Sequence, residues 1–279
     1  MKKIGALVLT AALAGSMTLT ALAEEPMLIS PNPNADADTG YAQTIVLNGE
    51  TLDLTGIPGG TQYLPMRLVA EADHGSAYWD EENNEGWFNF GQDKITVQFE
   101  ANTILVNDVA VNTTAEVVGG VTYVPAAVLE GLEGFSVTVE DSSVTITTPN
   151  NDPMVKLAYS IMENSEMYSM RTDEETLAEA YQFPVDQFEQ VVAFFPMITS
   201  PDTIIVGKLA EGADEKVVTD ALEAYRQSQE DTFSWYLSQH LPKVEDARTV
   251  IKDGYVFFFI GEKADEAEQM FADYVAAQA

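Results

Sequence analysis

One stretch of this chain is written twice, and no other feature limits the fold as much. Gly59-Gly60-Thr61-Gln62-Tyr63-Leu64-Pro65-Met66-Arg67-Leu68-Val69-Ala70 returns as Gly119-Gly120-Val121-Thr122-Tyr123-Val124-Pro125-Ala126-Ala127-Val128-Leu129-Glu130, at an offset of 60 residues. A repeated supersecondary unit buries its apolar face against its copy, so the two are placed together or not at all. The paired glycines permit a turn that side chains would strain. The Tyr-centred residues read as a short strand. Pro65 and Pro125 lack an N–H and suit the first turn of a helix. Leu68, Val69 and Ala72 are expected to form the apolar face of the first helix, and Val128, Leu129 and Leu132 that of the second. Tyr63 and Tyr123 are then packing residues in equivalent buried positions.

Each copy extends into hairpins. Thr44 to Leu47 and Glu50 to Leu54 flank Asn48-Gly49, a type I′ turn signal. Gly75, after His74, is expected to end the first helix. Ala77-Tyr78-Trp79 and Trp87 to Phe90 enclose a polar turn at Asp80 to Glu85, and Lys94 to Phe99 alternates as a strand. The second copy opens with Thr103 to Val106 and a turn at Asn107-Asp108. It closes with Ser136 to Val139 and Val144 to Thr147 around Asp141-Ser142-Ser143. Each copy therefore reads as β-hairpin, strand, short helix, β-hairpin.

Residues 149–153, rich in Pro and Asn, read as a linker. Beyond it, Met154 to Met162 reads as a helix, and Thr172 three residues before Glu175 as a capping box. Pro184 opens a short helix through Phe188. Val191 to Ile198 and Thr203 to Leu209 are strands. A long helix runs from Ala213-Asp214 to about Tyr236, with Val217, Val218, Ala221, Leu222 and Tyr225 on one face. Ala247 to Ile251 and Tyr255 to Ile260 form a hairpin. The second of these strands is apolar on both sides and reads as central and covered twice rather than as a ligand-stacking box. Ala264 to Ala277 is a final helix. The fold class is α+β: two repeated units, then an α+β domain whose antiparallel sheet is covered by helices.

Two resemblances follow from these residues. Residues 44–148 resemble the copper amine oxidase-like N-terminal domain, or stalk domain, of secreted Gram-positive proteins. The carrying features are the Asn48-Gly49 hairpin, Tyr63-Leu64-Pro65-Met66-Arg67, the helix ending at Gly75, and Trp79-Asp80. The second copy keeps Tyr123-Val124-Pro125 but has Ala126-Ala127 where that family usually has a residue followed by Arg. Residues 154–276 resemble DUF4358, a domain of unknown function of exported Firmicutes proteins. Here Trp235-Tyr236-Leu237, Val244 to Val250, Lys252 to Phe257 and Ala264 to Glu268 carry the likeness. Members of that family are often lipoproteins, whereas this chain lacks the lipobox cysteine. The first resemblance implies a non-catalytic module despite its name, and the second carries no assigned activity.

The residues themselves nominate no catalytic group, cofactor site or metal site. A copper amine oxidase needs three His and a Tyr-derived quinone, and the chain holds only His74 and His240, each expected at a helix end. There is no Gly-x-Ser-x-Gly elbow and no phosphate-binding glycine loop. Having no cysteine, the chain also has no thiol nucleophile and no disulfide. Asp36 and Asp38 alternate without the Gly and Glu of a calcium loop. The alternative to a binding protein is a hydrolase in residues 154–276 using a carboxylate pair, which the abundance of acidic residues leaves unlocated. Trp79 and Trp87 flank one turn; such residues stack on sugars when exposed, but Trp is more often core.

Lys2-Lys3, an apolar run from Ile4 to Leu13, and Ala21-Leu22-Ala23 before Glu24 read as a signal peptide over residues 1–23, followed by a flexible leader over 24–43. No later stretch reads as a membrane span. Without Lys2 and Lys3, 11 of the 13 basic residues face all 45 acidic ones, a formal −34. That charge repels nucleic acid and anionic headgroups. The expectation is a secreted, non-catalytic binding or scaffolding protein, extracellular or loosely wall-associated, partnered by an unidentified envelope polymer or extracellular protein. Cleavage is expected after Ala23. N-terminal sequencing of exported material should read Glu24-Glu25-Pro26, and an intact N-terminus on secreted protein would contradict the assignment.

Overall fold

The computed structural model describes residues 44–57, 63–141, 143–196 and 199–278. The signal peptide, the leader with Asp36 and Asp38, and Gly59-Gly60 lie outside them. The N-terminal half begins with β1 (Thr44–Leu47) and β2 (Glu50–Thr51), a hairpin whose turn residues Asn48 and Gly49 have φ of 52° and 89°. Positive φ at both positions defines the type I′ turn that matches strand twist. The copy repeats the device: β7 (Thr103–Val106) and β8 (Val109–Val111) flank Asn107 and Asp108, with φ of 49° and 66°. β2 is shorter than its sequence suggests, since Leu52 to Leu54 leave the sheet.

β3 (Tyr63–Pro65) and β10 (Val121–Pro125) pair with each other, antiparallel. Tyr63 faces Pro125, Leu64 faces Val124, and Pro65 faces Tyr123. Only Leu64 and Val124 meet as repeat counterparts, and a local twofold through that pair relates Tyr63–Pro125 to Tyr123–Pro65. Burial breaks the symmetry: Tyr123 is fully buried and Tyr63 only partly. β10 is also bonded to β9 (Glu116–Val118), while β3 is an edge among the described residues.

Each unit gives its hairpins to a sheet shared with the other. β4 (Ser76–Asp80), β5 (Glu85–Phe90) and β6 (Asp93–Gln98) continue into β7 and β8 as one antiparallel sheet. β11 (Ser136–Glu140) and β12 (Ser143–Thr147) join β1 and β2, with β12 parallel to β1. β6 has no counterpart in the second unit, which is why one junction is antiparallel and the other parallel. The inner faces share one core with Leu64, Val124 and the two short helical segments.

Those segments differ. α1 (Met66–Ala72) is α-helical and buries Met66, Val69 and Ala70, while Ala72 is exposed, so its apolar face starts two residues earlier than the sequence suggests. Ala126–Gly131 is a 3₁₀ turn, and it buries Val128 and Leu129 with Leu132 beyond it. His74, not Gly75, takes the left-handed conformation after α1, with φ of 59°. Gly75 is there for space: a Cβ would lie 2.0 Å from the Asn89 carbonyl oxygen and 2.9 Å from that of Ala70.

The C-terminal half is a sheet between two helical layers. α2 (Pro153–Asn164), α3 (Glu174–Glu179), α4 (Glu215–Trp235), α5 (Leu241–Glu245) and α6 (Ala264–Gln278) surround five strands. These are β13 (Ser169–Thr172), β14 (Phe188–Pro196), β15 (Thr203–Leu209), β16 (Arg248–Lys252) and β17 (Tyr255–Ile260), in the antiparallel order β13-β14-β15-β17-β16. In β17, Phe257 and Phe259 pack with α2 and α6 in one core, and Val256, Phe258 and Ile260 pack with α4 in the other. Both faces are thus covered, as a wholly apolar strand requires. The cap of α3 is Asp173 rather than Thr172, its carboxylate accepting from the Thr176 N–H at 2.7 Å. Phe188 begins β14 rather than ending a helix, because the turn after Pro184 stops at Gln187.

The stretch read as a linker is instead tied down between the halves. Pro149–Asn151 is a 3₁₀ turn, and Pro153 opens α2 under the Asp152 cap. Thr148 and Asp73 are both buried. Asp73 Oδ1 accepts from Asn48 Nδ2 at 2.9 Å and from Thr148 Oγ1 at 2.7 Å, and the Thr148 N–H donates to Asn48 Oδ1. Asn150 Nδ2 donates to the Asp73 carbonyl, and Arg171 from β13 donates to Asn150 Oδ1. Lys156 of α2 reaches the Asn48 carbonyl at 2.9 Å. His74 stacks on Tyr159, with ring centres 3.6 Å apart and planes 7° apart. Composition suggests a loop here because residues 149–153 are all Pro, Asn or Asp, the common turn formers.

Burial raises the pKa of Asp73, opposed by hydrogen bonds from Thr148, Asn150 and Asn48 and by His74. A carboxyl raised in the folded state stabilises fully below its unfolded pKa, and that contribution is lost as pH rises through the folded pKa. Asp73→Asn keeps the Oδ1 acceptor without a charge. It should therefore gain stability on the parent protein as pH rises, read as a Tm difference between acid and neutral solution. Thr148→Val removes a donor from the buried carboxylate and should cost about 1.5–3 kcal/mol at neutral pH. A Tm gap for Asp73→Asn that ignores pH would refute this account of the junction.

Candidate functional site: the outer face of the N-terminal sheet

In β5 the burial alternates strictly, with Gly86, Phe88 and Phe90 facing the core and Glu85, Trp87 and Asn89 facing out. A period of two is what a sheet with one wet face imposes. Residues directly opposite in neighbouring strands share a face. Tyr78, Trp87, Thr96, Leu105 and Ala110 therefore form one row across the outer surface of all five strands. Glu85 and Gln98 lie in the adjoining row with Asp80, and Ser76, Asn89 and Lys94 lie on the other side.

The row is aromatic at its open end. Tyr78 is 58% exposed on the edge strand β4, and its ring lies 5.4 Å from that of Trp87 at a 42° tilt. The Trp87 indole N–H donates to Glu85 Oε2 at 3.0 Å, and Gln98 Nε2 donates to Glu85 Oε1 at 2.8 Å. Glu85 thus fixes the indole edge and sits between two donors. Lys94 Nζ lies 5.7 Å from the Trp87 ring centre while paired with Asp108 at 3.1 Å. Asn83 donates to Asp80 and holds its carboxyl below the usual range, so Asp80 is ionised. Beside Trp87, Thr96 is only 3% exposed, and its Oγ1 has no hydrogen-bond partner among the described residues.

The two tryptophans singled out in the sequence are separated by this geometry. Trp79 lies opposite Gly86 and so belongs to the inner side, yet it is 47% exposed, against the expectation that it is core. It stands near the end of an edge strand, leaning on Phe99 at 5.3 Å across the gap left by Gly86. Tyr78, which sequence reasoning passed over, is the outward partner of Trp87. The signal was available: the hairpin turn at Asp80 to Glu85 sets a register that pairs them. The two histidines are not brought together. His74 is at the junction, and His240 sits edge-on to Phe233 at 5.7 Å.

In the C-terminal half carboxylates do converge, but on basic residues: Asp246, Asp265 and Glu268 on Arg248, Glu223 and Glu230 on Arg226, and a further pair on Lys243. Lys243 Nζ lies 3.0 Å from Asp202 and 3.5 Å from Glu262. Hydrogen bonds lower the pKa of Asp173, from Thr176, and that of Glu223, from Arg226. Each of these acids has a structural partner among the described residues. Among the described residues, no three His, Asp or Glu are grouped to hold a metal ion, and no helix is long and apolar enough to cross a membrane.

Two family models match separate parts of the chain. Residues 46–148 match the family described as the Copper amine oxidase N-terminal domain, and residues 162–261 match the Domain of unknown function (DUF4358). The first is an accessory domain rather than a catalytic one. No curated protein and no solved structure matches the chain.

The register assigns opposite fates to residues on adjacent positions of one hairpin. Tyr78→Ala should change stability by no more than about 0.5 kcal/mol, as an exposed site does. Phe88→Ala, buried on the inner face, should cost about 3–5 kcal/mol. Urea unfolding of both variants checks the pair, and a large loss from Tyr78→Ala would mean that the row is core.

Proposed function

We propose that the chain is an exported, non-catalytic protein of the cell envelope or extracellular space. Its N-terminal half, residues 44–148, binds a partner through the outer sheet face, and its second domain, residues 154–279, is carried with it as one body. The observation that supports this reading is the aromatic and polar row on a sheet face left open among the described residues, in a half whose family match is to an accessory domain. The C-terminal sheet offers no such face, because helices cover both of its sides. Export is supported by the charged, apolar and Ala-x-Ala pattern of residues 1–23.

A formal net charge of −32 gives bare electrostatic attraction the wrong sign for teichoic acids or anionic lipid. Neutral contacts through the aromatic row are the favoured route. Calcium bridging of carboxylates to wall phosphate is the competing one. The two separate in solution. Retention on isolated cell walls should survive EDTA and about 1 M salt, where the screening length falls to about 3 Å. It should weaken on Trp87→Ala. Retention that requires calcium would replace the neutral route, and no retention under any condition would refute wall binding.

A further inference from the structure

We infer that the Tyr78–Trp87 row, with Glu85 and Gln98 beside it, is a subsite for an uncharged pyranose ring of a linear glycan. This rests on the reading that the outer sheet face is the binding surface, and it commits that surface to one chemical class.

Four observations converge on sugar. The first is shape. Two rings on directly opposed residues form a shallow, tilted platform. Aromatic faces carry partial negative charge and attract the C–H bonds that line one side of a pyranose. A sugar presents such a side and a protein surface seldom does.

The second is the edge chemistry. Sugar hydroxyls need donors and acceptors beside the ring, not beneath it. Glu85 and Gln98 supply a carboxylate and a carboxamide in the row next to Trp87, and Asn89 and Ser76 flank the other side, bonded to each other at 3.0 Å. A protein-docking patch of this extent would need a dehydrated apolar centre. Here the two aromatics are bracketed on both sides by polar residues.

The third is charge. Asp80 and Glu85 face the platform from one side, and Lys94 is committed to Asp108. A phosphorylated or uronic acid polymer would meet these carboxylates, whereas a neutral or N-acetylated sugar does not.

The fourth is the orphaned hydroxyl. Thr96 lies directly opposite Trp87 in the row, buried, with its Oγ1 unpartnered among the described residues. A buried polar group without a partner costs about 1–3 kcal/mol. Because this Oγ1 is closed off in the free protein, it gains a partner only where a ligand hydroxyl displaces a neighbouring side chain of the row. Because β4 is the edge of its sheet among the described residues, a longer chain can continue past Tyr78.

The test uses the whole chain in a Trp79→Phe/Trp235→Phe background, which leaves Trp87 as the one indole of three. The probes are neutral chito- and cello-oligosaccharides, with polygalacturonate as the anionic control. The readouts are Trp87 fluorescence and calorimetry. A neutral oligosaccharide is expected to shift the emission and to bind, with polygalacturonate inert. Tyr78→Ala and Glu85→Gln should each weaken affinity about tenfold, and Trp87→Ala, followed by calorimetry in the parent protein, should abolish it. Trp79→Ala and Trp235→Ala, on the inner side and in the other half, should leave it unchanged. Circular dichroism of each variant separates lost binding from lost folding, and Tyr78, exposed and dispensable for the core, is the decisive one. If walls retain the protein through Trp87 but no neutral oligosaccharide binds, the surface takes a protein partner: the sugar assignment falls and the binding reading stands. If oligosaccharides bind equally well to the Tyr78 and Trp87 variants, the site lies elsewhere and the assignment is overturned.

Discussion

The pairing of β3 with β10 is the interaction on which the N-terminal half depends. Three residues from each copy meet antiparallel around the Leu64–Val124 pair, the one position where a residue faces its own counterpart. Neither strand is long enough to form a stable sheet alone. Together they place the two short helical segments on one core and aim each unit's hairpins toward the other unit's. The two larger sheets follow from that exchange, since each is built from the closing hairpin of one unit and the opening hairpin of the other. β6 upsets the symmetry by adding a strand at one junction, and that addition widens the sheet on which the aromatic row lies.

A second constraint acts where the halves meet. Asn48 serves the first hairpin as a turn residue and the junction as a double hydrogen-bonding arm. Asp73 ends α1 and also receives the donors of Asn48 and Thr148. Using the same residues for two purposes couples the local geometry of the repeat to the position of α2 and β13. Removing one donor therefore leaves a buried carboxylate short of partners, which is the costly way to break such a network.

The repeat, the type I′ turn at Asn48-Gly49, the turn at Asn107-Asp108, the long helix and the doubly covered strand β17 were all legible in the sequence, because each rests on local spacing or on turn chemistry. Three kinds of information were not. The linker residues 149–153 have loop composition, and what ties this segment down is the hydrogen bonding of Thr148 and Asn150 to Asn48, Asp73 and Arg171, which no local pattern encodes. Tyr123, on the strand flanked by β9 as well as β3, is fully buried while Tyr63 is not, a difference the repeat itself does not encode. Left-handed backbone at His74 follows from the close approach at Gly75, which spends the glycine on space rather than on conformation. For the site, Trp87 was nominated from composition, but its true companion required the register of the hairpin, which moved Trp79 to the other side and brought in Tyr78.

The parallel alignment of β1 with β12 has a mechanical meaning. These are the strands by which the chain enters and leaves the N-terminal half, and Thr44 to Leu47 lies against Ser143 to Ile146. In a parallel pair the incoming end of one strand and the outgoing end of the other point in opposite directions. Tension drawn along the polypeptide, as between a held partner and flowing medium, loads that pair in shear. All of its hydrogen bonds then resist at once, whereas an antiparallel pair pulled from one end peels open bond by bond. A module closed in this way is suited to bearing load within a chain.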